Sequence, residues 1–493
     1  MQVKNYQMYI DGRWTDGSGT ERFETLNPYT QVPWATIPQA STDDVRAAVA
    51  AARQAFNSGW KRMTGLKRAA LMNRLADIIE REAKPLSIIE TTDNGKVIRE
   101  TGAQMLYTAR LFRYFAGLAD KMRGSTIPLD HPDVFDFTVR EPYGVVALIT
   151  AWNSPIALLA NKLPAALAAG NCAVIKPSEH ASASTLEFCK FVEEAGFPPG
   201  VVNVVTGDGR VGNALTSVGG FDKISFTGSP NVGRLVATAA AQTLTPVTLE
   251  LGGKSPNIIF DDANVPRAIV GALAGIFAAS GQTCIAGSRL LVQRGVYKTV
   301  VDTLVERARN IVMGDPLDAA TEMGTAANRP QFDRIIAAID HAKTQGARLA
   351  TGGGSPSQAA LKNGLFIEPT IFAEVRPDME VAQHEIFGPV LSVIPFDTED
   401  EAVEIANGTK LGLASGVWTQ DISRALRMIR AMEAGVVWVN TYRMVSAQGP
   451  FGGRKESGYG KERGDEGLLE FSVLKNVMVD FSGEDRDPFA AKT

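Results

Sequence analysis

The chain has 493 residues, 45% of them hydrophobic, which is enough for roughly two to four domains with sizeable cores. Its 50 Lys and Arg against 54 Asp and Glu leave a net charge of -4, which excludes the basic field that nucleic acid or an anionic lipid surface would require. The partner expected from this balance is a small molecule.

The N-terminal sequence MQVKNYQMYIDGRW has no basic cluster followed by an apolar stretch, so no secretory leader is expected. Ser41 and Asp44 stand in capping-box positions before an Ala-rich helical stretch reaching about Phe56. A single helical run is expected over 66–91, closed by the turn signal Asn94-Gly95. The segment 124–142 alternates in DVFDFTVR, and the tail offers a second alternating piece, FSVLKNVMVD. Two readings of these pieces stand: an extension that pairs with another subunit, or edge strands of the parent sheets.

From Tyr143 onward, apolar runs alternate with helical segments. GVVALIT (144–150), NCAVIK (171–176), VVNVVTG (201–207), KISFTG (223–228) and PVTLELGG (246–253) are expected as buried strands, with intervening helices closing at Gly170 or Gly196. Such alternation implies a parallel, doubly wound α/β sheet, whose ligands sit at the carboxyl ends of the strands. A second α/β region follows over 255–440, with RLLVQ, PVLSVIPF, ASGVWTQ and GVVWVN as strands. The longest nearly apolar run, 268–279, falls short of the roughly 18 residues a membrane span needs and is expected as a buried helix.

Cys172, Cys189 and Cys284 are widely spaced with no CxxC pair, which argues against disulfides and a zinc site and for a reducing, cytoplasmic setting. His131, His180, His341 and His384 form no metal-binding pattern, so no metal is expected.

Three loops carry chemistry. FAASGQTCIAGSR presents Cys284 between Gly281 and Gly287, where a thiol can face a cleft; alone, a lone Cys is more often a small buried hydrophobe. LELGGKSP sets Glu250 near a strand end, where desolvation would raise a carboxyl towards the range of a general base, although taken alone a salt-bridged or capping Glu is the better reading. AWNSP sets Asn153 at a third strand end, an uncharged donor for a developing oxyanion or simply a turn residue before Pro155. GDGRVG (207–212) fits the GxGxxG phosphate-loop pattern and follows a strand.

Taken together, GQTC, ELGGKSP and WN, with KPSE (176–179), FTGSPNVG (226–233), HEIFGPV (384–390) and PFGGRKESGYGKE (450–462), resemble the aldehyde dehydrogenase superfamily from about residue 5 to residue 480. The resemblance implies an enzyme with a Rossmann-like NAD-binding domain at 1–123 and 143–252. It further implies a second α/β catalytic domain at 253–471, and a small strand extension at 124–142 and 472–493 through which a homodimer or homotetramer assembles. It makes Cys284 the nucleophile, Asn153 the oxyanion donor, Glu250 the general base and Glu462 a Glu that assists proton removal in some members, where a solvated surface Glu is the competing reading. Lys176 and Glu179 would hold the adenosine ribose; Gly228, Ser229 and Gly233 would face the pyrophosphate; Glu385 and Phe387 would position the nicotinamide. Ile149, Trp152, Gly209 and Leu251 would line the cofactor cleft, which removes GDGRVG from the phosphate role. An acidic Glu179 would repel a ribose phosphate, favouring NAD over NADP.

The implied reaction oxidises an aldehyde to the acid through a Cys284 thiohemiacetal and thioester, hydrolysed by water that Glu250 activates. This requires a site that favours thiolate, since an unperturbed thiol is mostly protonated at neutral pH. Ser154, Ala157 and Asn161 are small or polar, suggesting an open tunnel beside Thr283 and Ile285 for a medium-sized aliphatic, terpenoid or aromatic aldehyde. Arg443 offers the alternative of a semialdehyde carboxylate. A non-catalytic protein on this fold and a cysteine esterase are the rivals.

Overall fold

The computed structural model describes residues 3–484 and 488–489; the rest of the expected 472–493 extension lies outside the described residues. Its order of elements follows local chemistry. The Ser41–Asp44 capping box forms in both directions, with Ser41 N donating to Asp44 at 2.8 Å and Asp44 N to the Ser41 hydroxyl at 3.1 Å, and it starts the helix Thr42–Ser58. The run expected as one helix over 66–91 is two, Gly65–Arg81 and Ala83–Asn94. Pro85 is the reason: its ring excludes the carbonyl four residues back, at Arg81, where the first helix stops.

Eight strands form the first sheet, in the order Gly458–Tyr459, Val247–Glu250, Lys223–Thr227, Val145–Ile149, Cys172–Lys176, Val202–Val204, Met8–Ile10, Arg13–Thr15. The central five pair in parallel and the outer strands antiparallel. The strand earliest in the parallel set, Val145–Ile149, lies in the middle; the chain winds away on one side and returns on the other. The crevice where this reversal occurs opens between the loops that follow Ile149 and Thr227, the place where doubly wound sheets bind ligands.

A second, seven-stranded sheet runs Arg348–Thr351, Thr370–Ala373, Val390–Phe396, Arg289–Gln293, Pro256–Ile259, Ala414–Trp418, Val436–Val439, parallel except at its first pair. Each large sheet carries its own core, and the second is packed on both faces. Leu468 and Phe471, late in the chain, bury in the core of the first sheet.

The two alternating pieces outside these sheets pair with each other. Ser472–Asp480 runs antiparallel to Val134–Pro142 over nine residue pairs, and Thr126–Ile127 adds a third strand. They are therefore not edge strands of the parent sheets. Among the described residues no helix is long and apolar enough to cross a membrane.

Candidate active site

Three strand ends and one strained turn build the site. After Val145–Ile149 the chain turns through Trp152 and Asn153 into the helix Pro155–Ala160. Asn153 is buried, and its amide donates to the carbonyl of Gln282 at 3.0 Å, tying the loop to the segment before Cys284. Ser154 donates to the Asn153 carbonyl at 2.7 Å and itself accepts from the buried Lys96 ammonium, which fixes the loop from below.

Cys284 follows the helix Val265–Phe277, which is not buried all round as expected over 268–279: one face packs in the core and Val270 on the other is exposed. Between them Ala279, Ser280 and Gly281 take φ of 54°, 52° and 69°, three left-handed residues in succession, of which two carry side chains that disfavour this region. The Glu100 carboxylate offsets the strain by accepting from Ala279 N at 2.9 Å. Gln282 bonds the carbonyl of Thr325 and the N–H of Ala327, fixing the far side of the turn. Gly253 lets the turn approach: a Cβ there would stand 2.3 Å from the Cys284 carbonyl. Cys284 is the one partly exposed cysteine; Cys172 and Cys189 are buried.

Glu250 is the last residue of its strand, and its two carboxyl oxygens are buried without a hydrogen-bond partner among the described residues. Burial pushes its pKa well above the carboxylate range, the Glu462 charge adds to this, and Lys162 opposes it. Glu462 is not a solvated surface residue. It is buried and ion-paired with Lys162, which also donates to Ser225 at 3.0 Å. The Cys284 thiol is pushed up to about 12 by burial and then by Glu385, Glu250 and Glu462. Burial and these three carboxylates thus disfavour the thiolate, against the opposing charge of Arg463.

One cleft is lined by Trp152, Asn153, Gly228, Ser229, Glu250, Leu251, Cys284, Glu385 and Phe387. Trp152 and Phe387 meet edge to face at 5.3 Å between ring centres. Phe387 is left-handed (φ 58°) and held there by Gln331, which donates to the carbonyls of Ile386 and Phe387 at 2.9 and 3.0 Å. Glu385 accepts from Gly253 N at 2.9 Å, and burial raises its carboxyl to about 7.

The remaining residues expected at the cofactor lie along the same strand ends. Ile149 is buried beneath the cleft, and Gly233 packs so closely on Leu251 that a Cβ would meet its side chain at 2.6 Å. Lys176 ends the neighbouring strand with Glu179 3.9 Å from its ammonium, outside the cleft that holds Cys284. Gly209 opens the helix Gly209–Ser217, whose start is capped by the Asp208 carboxylate. That anion occupies the position a phosphate would need. The helix Pro230–Ala241 is instead capped by uncharged Ser229 and has no acidic residue in its first turn. The chain thus offers an uncharged helix start, a close-packed glycine and a flanking ring pair, a donor set that fits a dinucleotide.

Several residues here were not singled out by sequence reasoning. Lys96 and Lys162 sit in short connections between helices and Glu100 within one, none with a motif of its own, while Gln331 and Arg334 enter the cleft from a distant helix, Arg329–Thr344. A Lys amid the apolar sequence around 155–169 was the available signal for Lys162. Arg443 donates to the carbonyl of Ala274 at 3.0 Å.

A sequence profile described as the aldehyde dehydrogenase family matches residues 14–477. The chain is 45% identical over 494 aligned residues to (Z)-2-((N-methylformamido)methylene)-5-hydroxybutyrolactone dehydrogenase of Acinetobacter baylyi, covering 99% of this chain and 100% of that protein. It is 43% identical to retinal dehydrogenase 2 of Gallus gallus, with 97% and 92% covered. Among solved structures it resembles betaine aldehyde dehydrogenase of Staphylococcus aureus in complex with NAD+, with a TM-score of 0.96, 39% identity, and 98% of this chain and 97% of that one covered. The two-sheet α/β fold with a cysteine at the sheet crevice is that of a nicotinamide-linked dehydrogenase. The chain belongs to the aldehyde dehydrogenase family and is an oxidoreductase.

Proposed function

We propose that this protein oxidises an aldehyde to the carboxylic acid with NAD, through a covalent intermediate on Cys284 that water resolves. The observation that carries this reading is the single cleft in which Cys284, Glu250 and Asn153 meet Trp152, Glu385 and Phe387. Cys284 gives up its thiol proton to solvent as Sγ attacks the carbonyl carbon, and the Asn153 amide, which has a second N–H beyond the one given to Gln282, holds the oxygen as charge develops on it. When bound, the nicotinamide accepts the hydride released as the thiohemiacetal becomes a thioester. Glu250, in its ionised form, takes a proton from the water that attacks the thioester carbonyl. The carboxylic acid leaves and Cys284 regains its proton.

In this proposal Glu462 acts on Glu250 by its charge, opposed by that of Lys162, and residues 143–252 with 1–123 carry the cofactor. Residues 253–471 carry the nucleophile. The uncharged helix start at Ser229 supports the pyrophosphate position, and Glu179, partly exposed beside Lys176, supports NAD over NADP. Exposed Leu474, Met478 and Phe481 on and just beyond the tail strand support assembly of copies through the three-stranded sheet. Three free cysteines suit a reducing, cytoplasmic setting. The test is NADH formation at 340 nm with a panel of aldehydes and either cofactor. Oxidation with NAD that disappears in Cys284→Ala is expected; oxidation that survives the substitution contradicts the reading.

A further inference from the structure

The residue after Glu462 carries a charge that the fold does not neutralise. Arg463 is half-buried, and among the described residues no carboxylate is ion-paired with it, whereas Glu462 has Lys162. Its Nε donates to Asn161 Oδ1 at 2.9 Å, and among the described residues its two terminal nitrogens have no hydrogen-bond acceptor. The guanidinium lies over the ring of Phe451 at 4.8 Å and that of Tyr107 at 5.6 Å. The Tyr107 hydroxyl is buried and also without a hydrogen-bond partner among the described residues. A buried, unsatisfied hydroxyl thus lies beside a guanidinium whose terminal nitrogens are open to a ligand, and the hydroxyl costs stability unless a ligand completes it.

This cluster borders the reaction centre. Phe451 belongs to the apolar group against which Cys284 packs, and Asn161 precedes Lys162, whose ammonium holds Glu462. The Arg463 charge acts on the ionisation of both Cys284 and Glu250.

We propose that Arg463 and the Tyr107 hydroxyl form a subsite for a carboxylate at the far end of the aldehyde, so that the substrate class is an acid semialdehyde. The inference rests on the Cys284 reaction above and names its substrate class. With Nε tied to Asn161 and the plane stacked on Phe451, the guanidinium presents its two terminal nitrogens as a fixed fork, the geometry that matches the two oxygens of a carboxylate. The hydroxyl of Tyr107 supplies a further donor. Because both groups are already ordered, little side-chain entropy is lost on binding.

The test compares glutarate semialdehyde with pentanal, which has the same chain length and no charge. In the wild type, kcat/KM for the semialdehyde is expected to exceed that for pentanal by about 10- to 100-fold, the range a charge-assisted pair supplies. The ratio should fall close to 1 in Arg463→Leu, mainly through KM, recover in part in Arg463→Lys, and decline several-fold in Tyr107→Phe. A second readout needs no turnover: glutarate should slow alkylation of Cys284 by iodoacetamide in the wild type and not in Arg463→Leu. A ratio near 1 in the wild type, or a preference that survives Arg463→Leu, overturns the subsite. Persistence of pentanal oxidation in Cys284→Ala would instead overturn the reaction itself, and the two failures are separately visible.

Discussion

Lys162 donates to the Glu462 carboxylate in a pair closed to solvent, with side-chain exposures of 0% and 3%, and both charges act on the carboxyl of Glu250. Glu462 raises the Glu250 pKa and Lys162 lowers it, so the pair sets the pH at which the base becomes available.

Removing the Glu462 charge therefore has a defined sign. A base with a raised pKa is active only above it, so the wild-type rate should rise with pH through a limb above the ordinary carboxylate range. In Glu462→Gln the raising influence is lost and Lys162 stands unopposed, and the limb should move to lower pH. Losing one partner of a buried pair should also cost about 3–5 kcal/mol of stability. The checks are a kcat–pH profile and a denaturation midpoint; an unmoved limb would separate Glu462 from Glu250.

Glu250→Gln keeps the size of the side chain and removes its basicity. Turnover should fall by about 10²- to 10⁴-fold, the usual contribution of a positioned base. A pre-steady-state burst of NADH should remain if Glu250 serves mainly the hydrolysis of the thioester. Steady-state turnover near the wild-type rate would remove Glu250 from the mechanism.

Glu100 accepts from Ala279 N at the head of the left-handed turn before Cys284. Glu100→Ala should leave that N–H unpaired and release the turn, costing about 1.5–3 kcal/mol as for other hydrogen bonds to charged groups. The expected signature is a lower Tm with a reduced kcat and an unchanged Kd for NAD. Unchanged kcat would make the contact purely structural.

Glu179 is partly exposed beside Lys176 at the end of the second parallel strand. Glu179→Gln removes the repulsion expected against a ribose phosphate, so kcat/KM for NADP should rise relative to that for NAD. A ratio that does not move would place the ribose elsewhere.

Much of the fold was legible because its signals are local. Apolar runs at 144–150, 171–176 and 223–228 became central strands, and Ser41 with Asp44 capped the helix they were expected to cap. The break at Arg81 depended on Pro85, whose effect falls on the carbonyl four residues earlier and is masked by continuing helical periodicity. The mutual pairing of Val134–Pro142 and Ser472–Asp480 joins segments more than 300 residues apart, so alternation could identify them as strands without naming the partner. At the site, Cys284, Glu250 and Asn153 were visible through their loops. Lys162, Glu100 and Gln331 act by contacts across the fold, which no spacing encodes. The ionisation of Cys284 differed for the same reason: burial, and then its neighbours in space Glu385, Glu250 and Glu462, raise the thiol rather than lower it.

The most direct test of the central claim is intact-protein mass spectrometry of the Glu250→Gln enzyme, quenched in acid after mixing with NAD and an aldehyde substrate. The mass should increase by that of one acyl group, located on the peptide containing Cys284 and absent from a Cys284→Ala counterpart that still binds NAD. Oxidation of the aldehyde with no acyl adduct on Cys284, or in the absence of the Cys284 thiol, would contradict it.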